Sequence, residues 1–164
     1  MSSRAILAAA SALALTVATS ACTSAPPCAD LGPVSDYPEN TVTRTPCIDG
    51  FVVNDGGEFR VFLASSMHLE GEGLSWEPNG DEEVTDWTSP VPGQPLPLTG
   101  TFYNPMHGER FAVDGSVMDG PAAGPLWSCP IETRDGELWI AAREGSDAAT
   151  ITALCMSSSS PLPS

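Results

Sequence analysis

Two four-residue segments contain both histidines of the chain and share the pattern Met-His-x-Glu: Met67-His68-Leu69-Glu70 and Met106-His107-Gly108-Glu109. Imidazole and carboxylate groups are typical zinc ligands, and methionine beside histidine suits copper in an exported protein. The candidate ligands of a copper or zinc site are therefore His68, Glu70, His107 and Glu109. Such a site requires the two segments to meet, with the imidazole rings within about 6 Å of each other. No spacing here matches a named metal motif, so the alternative is two surface histidines in acidic turns, with no bound metal or other cofactor.

The sequence contains few features typical of catalysis. Gly115-Ser116 is followed by Val117-Met118, which does not complete the Gly-x-Ser-x-Gly turn of serine hydrolases. The chain has no lysine to act as a base or nucleophile, so only His68 or His107 could act as a base near neutral pH. We therefore predict a non-catalytic protein. An envelope hydrolase is a further alternative, and it would require one of those histidines to line a cleft.

Acidic residues are concentrated between Glu77 and Glu83 in a turn-forming sequence, Glu-Pro-Asn-Gly-Asp-Glu-Glu. Calcium binds such oxygen ligands, but the order of acids in an EF-hand loop is absent. We expect a solvated acidic loop here.

The five cysteines form an odd set, and an exported protein with an odd number needs an explanation for the extra one. Cys28, Cys47, Cys129 and Cys155 make an even set that predicts two disulfides in an oxidising compartment. No pair has the two-residue spacing of zinc knuckles or redox motifs.

Three pairings of these four cysteines are possible, and proximity in the sequence favours Cys28 with Cys47 and Cys129 with Cys155. Geometry argues against the second pair if residues 127–133, 137–143 and 150–155 form a simple three-stranded meander. The outer strands would then be about 9.6 Å apart, whereas a disulfide needs Cα atoms within about 7 Å. Either the last strand leaves that sheet or the bridges cross between the two halves of the chain.

The N-terminus has the features of an export signal. Arg4 precedes an uncharged apolar run over residues 5–18, followed by Thr19-Ser20-Ala21-Cys22. This segment resembles the lipobox of bacterial lipoproteins, although Thr19 stands where that family more often has leucine. The resemblance implies removal of residues 1–21 and attachment of lipid to Cys22, which would account for the odd cysteine. The alternative is an ordinary secretory signal that leaves Cys22 as a free thiol; a retained anchor would need about 20 apolar residues.

The charge is strongly acidic, and loss of Arg4 with the signal peptide takes the formal charge from −15 to −16. Such a chain lacks the basic contacts that nucleic acid requires, and an anionic membrane surface would repel it. Membrane attachment must then come from lipid, and durable attachment needs more than one chain. We expect the protein on the extracytoplasmic face of the cell membrane. Because Thr23 rather than aspartate follows Cys22, the family's sorting rule would permit the outer membrane if the cell has one.

The chain divides into four parts. Residues 1–21 are the signal peptide, residues 22–27 the lipidated cysteine and a proline-containing tether, residues 28–156 one domain, and residues 157–164 a disordered tail. The predicted function is a lipid-anchored, non-catalytic binding or interaction module whose partner is an envelope protein or a small ligand. A metal-binding envelope lipoprotein is the alternative.

Short alternating segments separated by many glycines and prolines predict an all-β fold, a small antiparallel sandwich or barrel of about 6–8 short strands stapled by disulfides. A hairpin is expected around a three-residue Asp55-Gly56-Gly57 loop, with Val53 opposite Phe59. Residues 100–104, 110–117 and 150–155 are predicted as further strands, and no helix is expected. The prolines of residues 89–97 favour an extended crossing rather than a strand.

A second hairpin is expected at Asp135-Gly136, with Ile131 opposite Ile140 on one buried face. Trp139 then alternates onto the face opposite Leu138 and Ile140. An outward-facing tryptophan offers a platform for a ligand or partner, so Trp139 is a candidate binding residue.

Overall fold

The computed structural model describes residues 28–45, 47–65, 73–78, 91–143 and 145–158, which contain twelve strands, a 3₁₀ turn at Val34–Asp36 and one α-helix. In chain order the strands are β1 Asp30–Pro33, β2 Thr41–Thr45, β3 Gly50–Asp55, β4 Glu58–Leu63, β5 Ser75–Pro78, β6 Pro95–Pro97, β7 Gly100–Asn104, β8 Glu109–Phe111, β9 Val117–Asp119, β10 Ser128–Cys129, β11 Ile131–Arg134 and β12 Glu137–Ile140, and helix α1 is Ala148–Ser158.

The strands form three antiparallel sheets, which confirms the all-β, disulfide-stapled class. The central sheet has the order β10-β4-β3-β2-β6, a second sheet the order β1-β12-β11, and a third the order β5-β7-β8-β9. The strands are more numerous than the 6–8 expected because several are only two or three residues long, too short to show an alternating pattern.

The central sheet contributes to two separate cores, one on each of its faces. Val52 and Val61 pack in the first core with residues of the β1-β12-β11 sheet and α1. Phe51 and Val53 pack in the second core with residues of the β5-β7-β8-β9 sheet. Residues Gly50–Asn54 of β3 are consequently buried without interruption, as expected for a strand covered on both sides.

The β3–β4 hairpin differs by one residue from the predicted register. Asp55 pairs with Glu58 and Val53 with Arg60, so the loop is the two-residue Gly56-Gly57 turn and Val53 does not face Phe59. Both glycines have positive φ, 58° and 94°, which is the requirement of the type I′ turn that matches the twist of paired strands. Two adjacent glycines made this shorter turn possible.

The β11–β12 hairpin confirms the prediction. Ile131 pairs with Ile140, and Asp135-Gly136 forms the turn with φ of 50° and 84°. Leu138 and Ile140 are fully buried, while Trp139 on the opposite face is half-buried.

The prediction of a strand over residues 150–155 was wrong, because these residues belong to α1. Asp147 accepts a hydrogen bond from the Thr150 backbone N–H at 2.8 Å and acts as the helix cap. Ile151 and Cys155, four residues apart, are the buried residues of the helix. The helix ends at Ser158, so two residues of the predicted tail are helical and residues 159–164 lie outside the described ranges.

Residues 95–97, expected to cross the fold without pairing, form the edge strand β6 against β2. An edge position is where a sheet tolerates proline, since one side of the strand needs no donor. The expected strand at 100–104 is β7, and the expected strand at 110–117 is divided into β8 and β9.

Candidate functional site

An open crevice of about 410 Å³ lies where the chain leaves the central sheet for its neighbour. β10 pairs with β4 at Val61 and Phe62 only. After Pro130 the chain enters β11, which pairs with β12 instead. The two sheets separate at this point, beside the first half of β4, and the space between them is the crevice.

The crevice is lined by polar and apolar surface in about equal parts, from β4, from β10–β11 and from the segments around Asp114 and Leu126. Its floor consists of almost fully buried residues of both cores, Val61 of the first and Phe62 and Leu126 of the second. Phe59 and Ile131 are half-buried and form two walls that reach solvent. The volume is within the range of small-ligand sites. The lining residues are Phe59, Arg60, Val61, Phe62, Asp114, Pro125, Leu126, Ser128, Cys129 and Ile131.

The polar rim contains one cation surrounded by acids. The Arg60 guanidinium donates to Glu58 at 2.7 Å and lies 3.6 Å from Asp55. These two acids flank the β3–β4 turn, so the register of that hairpin brings them next to Arg60. Asp114 also lines the crevice.

Asp114 is held by its own turn. Its Oδ1 accepts hydrogen bonds from the Ser116 backbone N–H at 2.9 Å and from the Ser116 hydroxyl at 2.6 Å. These two bonds lower the pKa of the Asp114 carboxyl, and the Arg60 charge lowers it further. The next residue, Gly115, has φ of 81° and lies so close to Phe62 that a Cβ would be 2.7 Å from its ring. Because residue 115 is glycine, the turn can pack directly against the Phe62 ring.

A second cavity, of about 320 Å³, is lined by Leu31, Asp36, Tyr37, Thr43, Arg44 and Gly93. The Tyr37 hydroxyl donates to the Leu31 carbonyl, and burial together with Asp36 and Asp30 raises the pKa of Tyr37 to about 12. Arg44 is paired with Asp49 at 2.7 Å. Tyr37 and Arg44 are thus engaged within the protein, whereas the buried Thr43 hydroxyl has no hydrogen-bond partner among the described residues. The crevice is larger than this cavity, so we take it as the better candidate site.

No protein-family model matches this chain, and no curated protein matches it. The candidate site therefore depends on geometry alone. Sequence reasoning missed the crevice because its residues come from segments that are distant in the sequence and that no motif connects. The sequence feature that comes nearest to indicating the crevice is Arg60, a charged residue between the apolar residues Phe59 and Val61.

Of the predicted metal ligands, His68 and Glu70 lie outside the described residues. His107 is exposed in the β7–β8 turn, whereas Glu109 is fully buried and accepts a hydrogen bond from Asn104 at 2.7 Å. His107 and Glu109 thus lie in different environments, one facing solvent and one facing the interior. Among the described residues no group of three or more His, Cys, Asp or Glu side chains is placed to hold a metal ion.

Glu77 of the predicted acidic loop is a buried residue of β5. Its carboxylate pairs with Arg110 of β8 at 2.6 Å, and the guanidinium of Arg110 stacks on Tyr103 at 4.5 Å from the ring centroid. The rest of that loop beyond Pro78 is outside the described ranges.

Trp139 lies on the predicted face, but other side chains contact its ring. The guanidinium of Arg134 is 5.3 Å from its ring centroid, and residues of the first core pack against the ring. Its indole N–H is buried without a hydrogen-bond partner among the described residues. This arrangement favours a packing role for Trp139 over contact with a large ligand.

The cysteines pair as proximity in the sequence suggested, Cys28 with Cys47 and Cys129 with Cys155. The geometric objection to the second pair disappears because Cys129 belongs to the central sheet and Cys155 to α1, with Cα atoms 4.1 Å apart. Two disulfides indicate an oxidising, extracytoplasmic compartment. Cys22 lies outside the described residues, and none of the described helices is both long and apolar enough to span a bilayer.

Proposed function

We propose that this chain is a lipid-anchored, extracytoplasmic binding module in which the crevice beside β4 holds the apolar part of a small ligand. The observation that carries the proposal is the crevice itself, about 410 Å³ with an apolar floor and a charged rim. Full burial of one medium-sized apolar group there would contribute about 1.5–3 kcal/mol. The anchor is supported by the lipobox-like sequence that ends at Cys22 and by the two disulfides.

The first disulfide would orient such a module on its membrane. Cys22 is six residues from Cys28 in the sequence, and an extended chain covers at most about 20 Å over that interval. Cys28 is bonded to Cys47, which lies in the turn between β2 and β3. The anchor thus holds that end of the central sheet close to the bilayer.

The crevice extends along the same sheet away from that end. Its β4 residues, Phe59 to Phe62, pair with Asn54 to Phe51 of β3, so they lie one to four residue steps, about 3–13 Å, from Gly50. An anchored module would therefore hold the Phe59 and Arg60 end of the crevice further from the lipid than the Phe62 end.

Replacing Cys22 by serine tests the anchor. We expect the Cys22→Ser protein to lose incorporated lipid and to move from the membrane fraction to the soluble fraction, because the acidic domain has no other attachment to an anionic surface. The measurement is radiolabelled fatty-acid incorporation together with fractionation after a high-salt wash. Lipid incorporation by the variant, or salt-resistant membrane association of a variant chain that has lost residues 1–21, would show that the anchor proposal is wrong.

A neutral apolar fluorophore, N-phenyl-1-naphthylamine, tests the crevice. We expect saturable binding to the full-length Cys22→Ser chain purified from the soluble fraction. The added Ile131→Asp substitution should raise Kd at least about tenfold, because a carboxylate in an apolar wall costs more than about 1.4 kcal/mol.

Thr133→Asp is the matched control, since Thr133 is two residues further along the same strand and is exposed. Thermal unfolding of each variant checks that the fold is kept. Equal binding by the two aspartate variants, or no saturable binding by the parent, would remove the crevice as the site.

A further inference from the structure

We propose that the crevice selects ligands that carry a positive charge beside the apolar group, such as an aryl- or alkylammonium. This inference rests on the proposed function, since it names the class of ligand that the same crevice would hold.

Arg60, the one basic residue among the described residues that line the crevice, is already paired with acids of the protein. Glu58 accepts from its guanidinium at 2.7 Å, and Asp55 lies 3.6 Å from it. Its side chain is 28% exposed, so a ligand could reach it, but an anionic ligand would have to compete with two carboxylates fixed beside it by the hairpin. Arg60 therefore does not make the crevice a site for anions.

Asp114 adds a third carboxylate, and this one lines the crevice. It is exposed and is held in place by two hydrogen bonds from Ser116. These bonds favour the ionised form of its carboxyl. Asp55 and Glu58 lie beside Arg60 without lining the crevice, and with them the formal charge around Arg60 and Asp114 is two negative units.

Apolar walls of low polarisability strengthen the interaction of these charges with a ligand that enters between them. Phe59, Ile131 and Asp114 line the same crevice of about 410 Å³, so a ligand that packs its apolar part on the first two needs only a short arm to bring a charged group to Asp114. A cation there meets a carboxylate that has no described basic side chain at ion-pair distance. An anion there meets Asp114, and its approach to Arg60 is opposed by Asp55 and Glu58. Charge complementarity therefore favours the cation.

The test uses three probes of the same shape: 2-(1-naphthyl)ethylammonium, 2-(1-naphthyl)ethanol and 1-naphthylacetate, titrated into the full-length Cys22→Ser chain by calorimetry. At low ionic strength we expect the ammonium to bind about twofold to fivefold more tightly than the alcohol, the range of an exposed ion pair. The acetate should bind more weakly than the alcohol. Addition of 0.5 M salt should reduce both differences because it screens exposed charges.

Asp114→Asn should remove most of the preference for the ammonium over the alcohol, measured as the ratio of the two Kd values in the same variant. Asp119→Asn is the matched control: it removes the same charge from an exposed residue of β9 that does not line the crevice. Thermal unfolding of both variants confirms that the Asp114 turn is retained.

The outcomes separate the two proposals. Binding of the alcohol with equal or tighter binding of the acetate would overturn charge selection and leave the binding function standing. An ammonium preference that survives Asp114→Asn would overturn the role of Asp114. Absence of binding by all three probes would overturn the proposed function together with this inference.

Discussion

Replacing Phe102 by alanine should lower the free energy of unfolding by about 3–5 kcal/mol, among the largest losses that a single side chain can produce in a domain of this size. Phe102 is fully buried on β7. Its ring lies 4.8 Å from Trp76, 5.2 Å from Phe51 and 5.8 Å from Phe62, measured between ring centroids. Trp76 belongs to the same sheet as Phe102, and the two phenylalanines belong to the central sheet. Phe102 is thus the aromatic contact between two layers, and its removal leaves a cavity that both layers border.

Denaturant-induced unfolding followed by tryptophan fluorescence measures this loss. Phe59→Ala is the matched control, since it deletes the same atoms from a half-buried residue at the crevice. We expect less than half the loss there because Phe59 gives up less buried area. Similar losses in both variants would contradict the packing of the β5-β7-β8-β9 sheet on the central sheet through Phe102.

The strands that the sequence predicted correctly are those in which the local pattern and the tertiary environment agree. Ile131 pairs with Ile140 because Asp135-Gly136 admits only a tight turn and because one face of that hairpin is buried. The pairing of cysteines followed from proximity in the chain. In both cases the residues that pair are close in the sequence; even the two cysteines of the second disulfide are only 26 residues apart.

The features that the sequence did not predict depend on contacts between distant segments. Val52 packs in a different core from Phe51 and Val53. The sequence does not indicate this second core, because a strand that is buried on both faces shows no alternation of apolar and polar residues. The helix α1 was missed although Asp147 is a good cap, because Ile151 and Cys155 alone give too weak an apolar periodicity. The strand between residues 110 and 117 is interrupted where the chain turns at Asp114 and Gly115.

The candidate site was less predictable than the fold. The crevice exists because β10 covers only Val61 and Phe62 of β4 before the chain changes sheets, and no property of residues 59–62 reveals where their neighbour ends. The residues that the sequence did nominate were chosen for chemistry rather than position. His107 and Glu109 show the difference, since two residues of one motif lie in solvent and in the interior.

Removing the Cys129–Cys155 disulfide should destabilise the protein by about 3.5 kcal/mol through the loss of a 26-residue cross-link alone. Replacing both cysteines by alanine also removes two sulfurs from the first core, where Cys155 is fully buried and Cys129 is 6% exposed. Each deleted buried group adds about 1 kcal/mol. We therefore expect a total loss of about 5–6 kcal/mol, measured by guanidinium unfolding under non-reducing conditions.

The Cys28–Cys47 bridge provides the comparison. Its cysteines are 19 residues apart, so the stabilisation from loop-closure entropy is nearly the same, about 3.2 kcal/mol. Cys47 is exposed and Cys28 only half-buried, so little packing is lost with them. The double variant Cys129→Ala/Cys155→Ala should thus be less stable than Cys28→Ala/Cys47→Ala by about 1–2 kcal/mol. It should also show faster amide exchange in α1, since an 11-residue helix is marginal without tertiary contacts. Equal stability of the two variants with unchanged protection in α1 would mean that Ile151 and its neighbours hold the helix without the bridge.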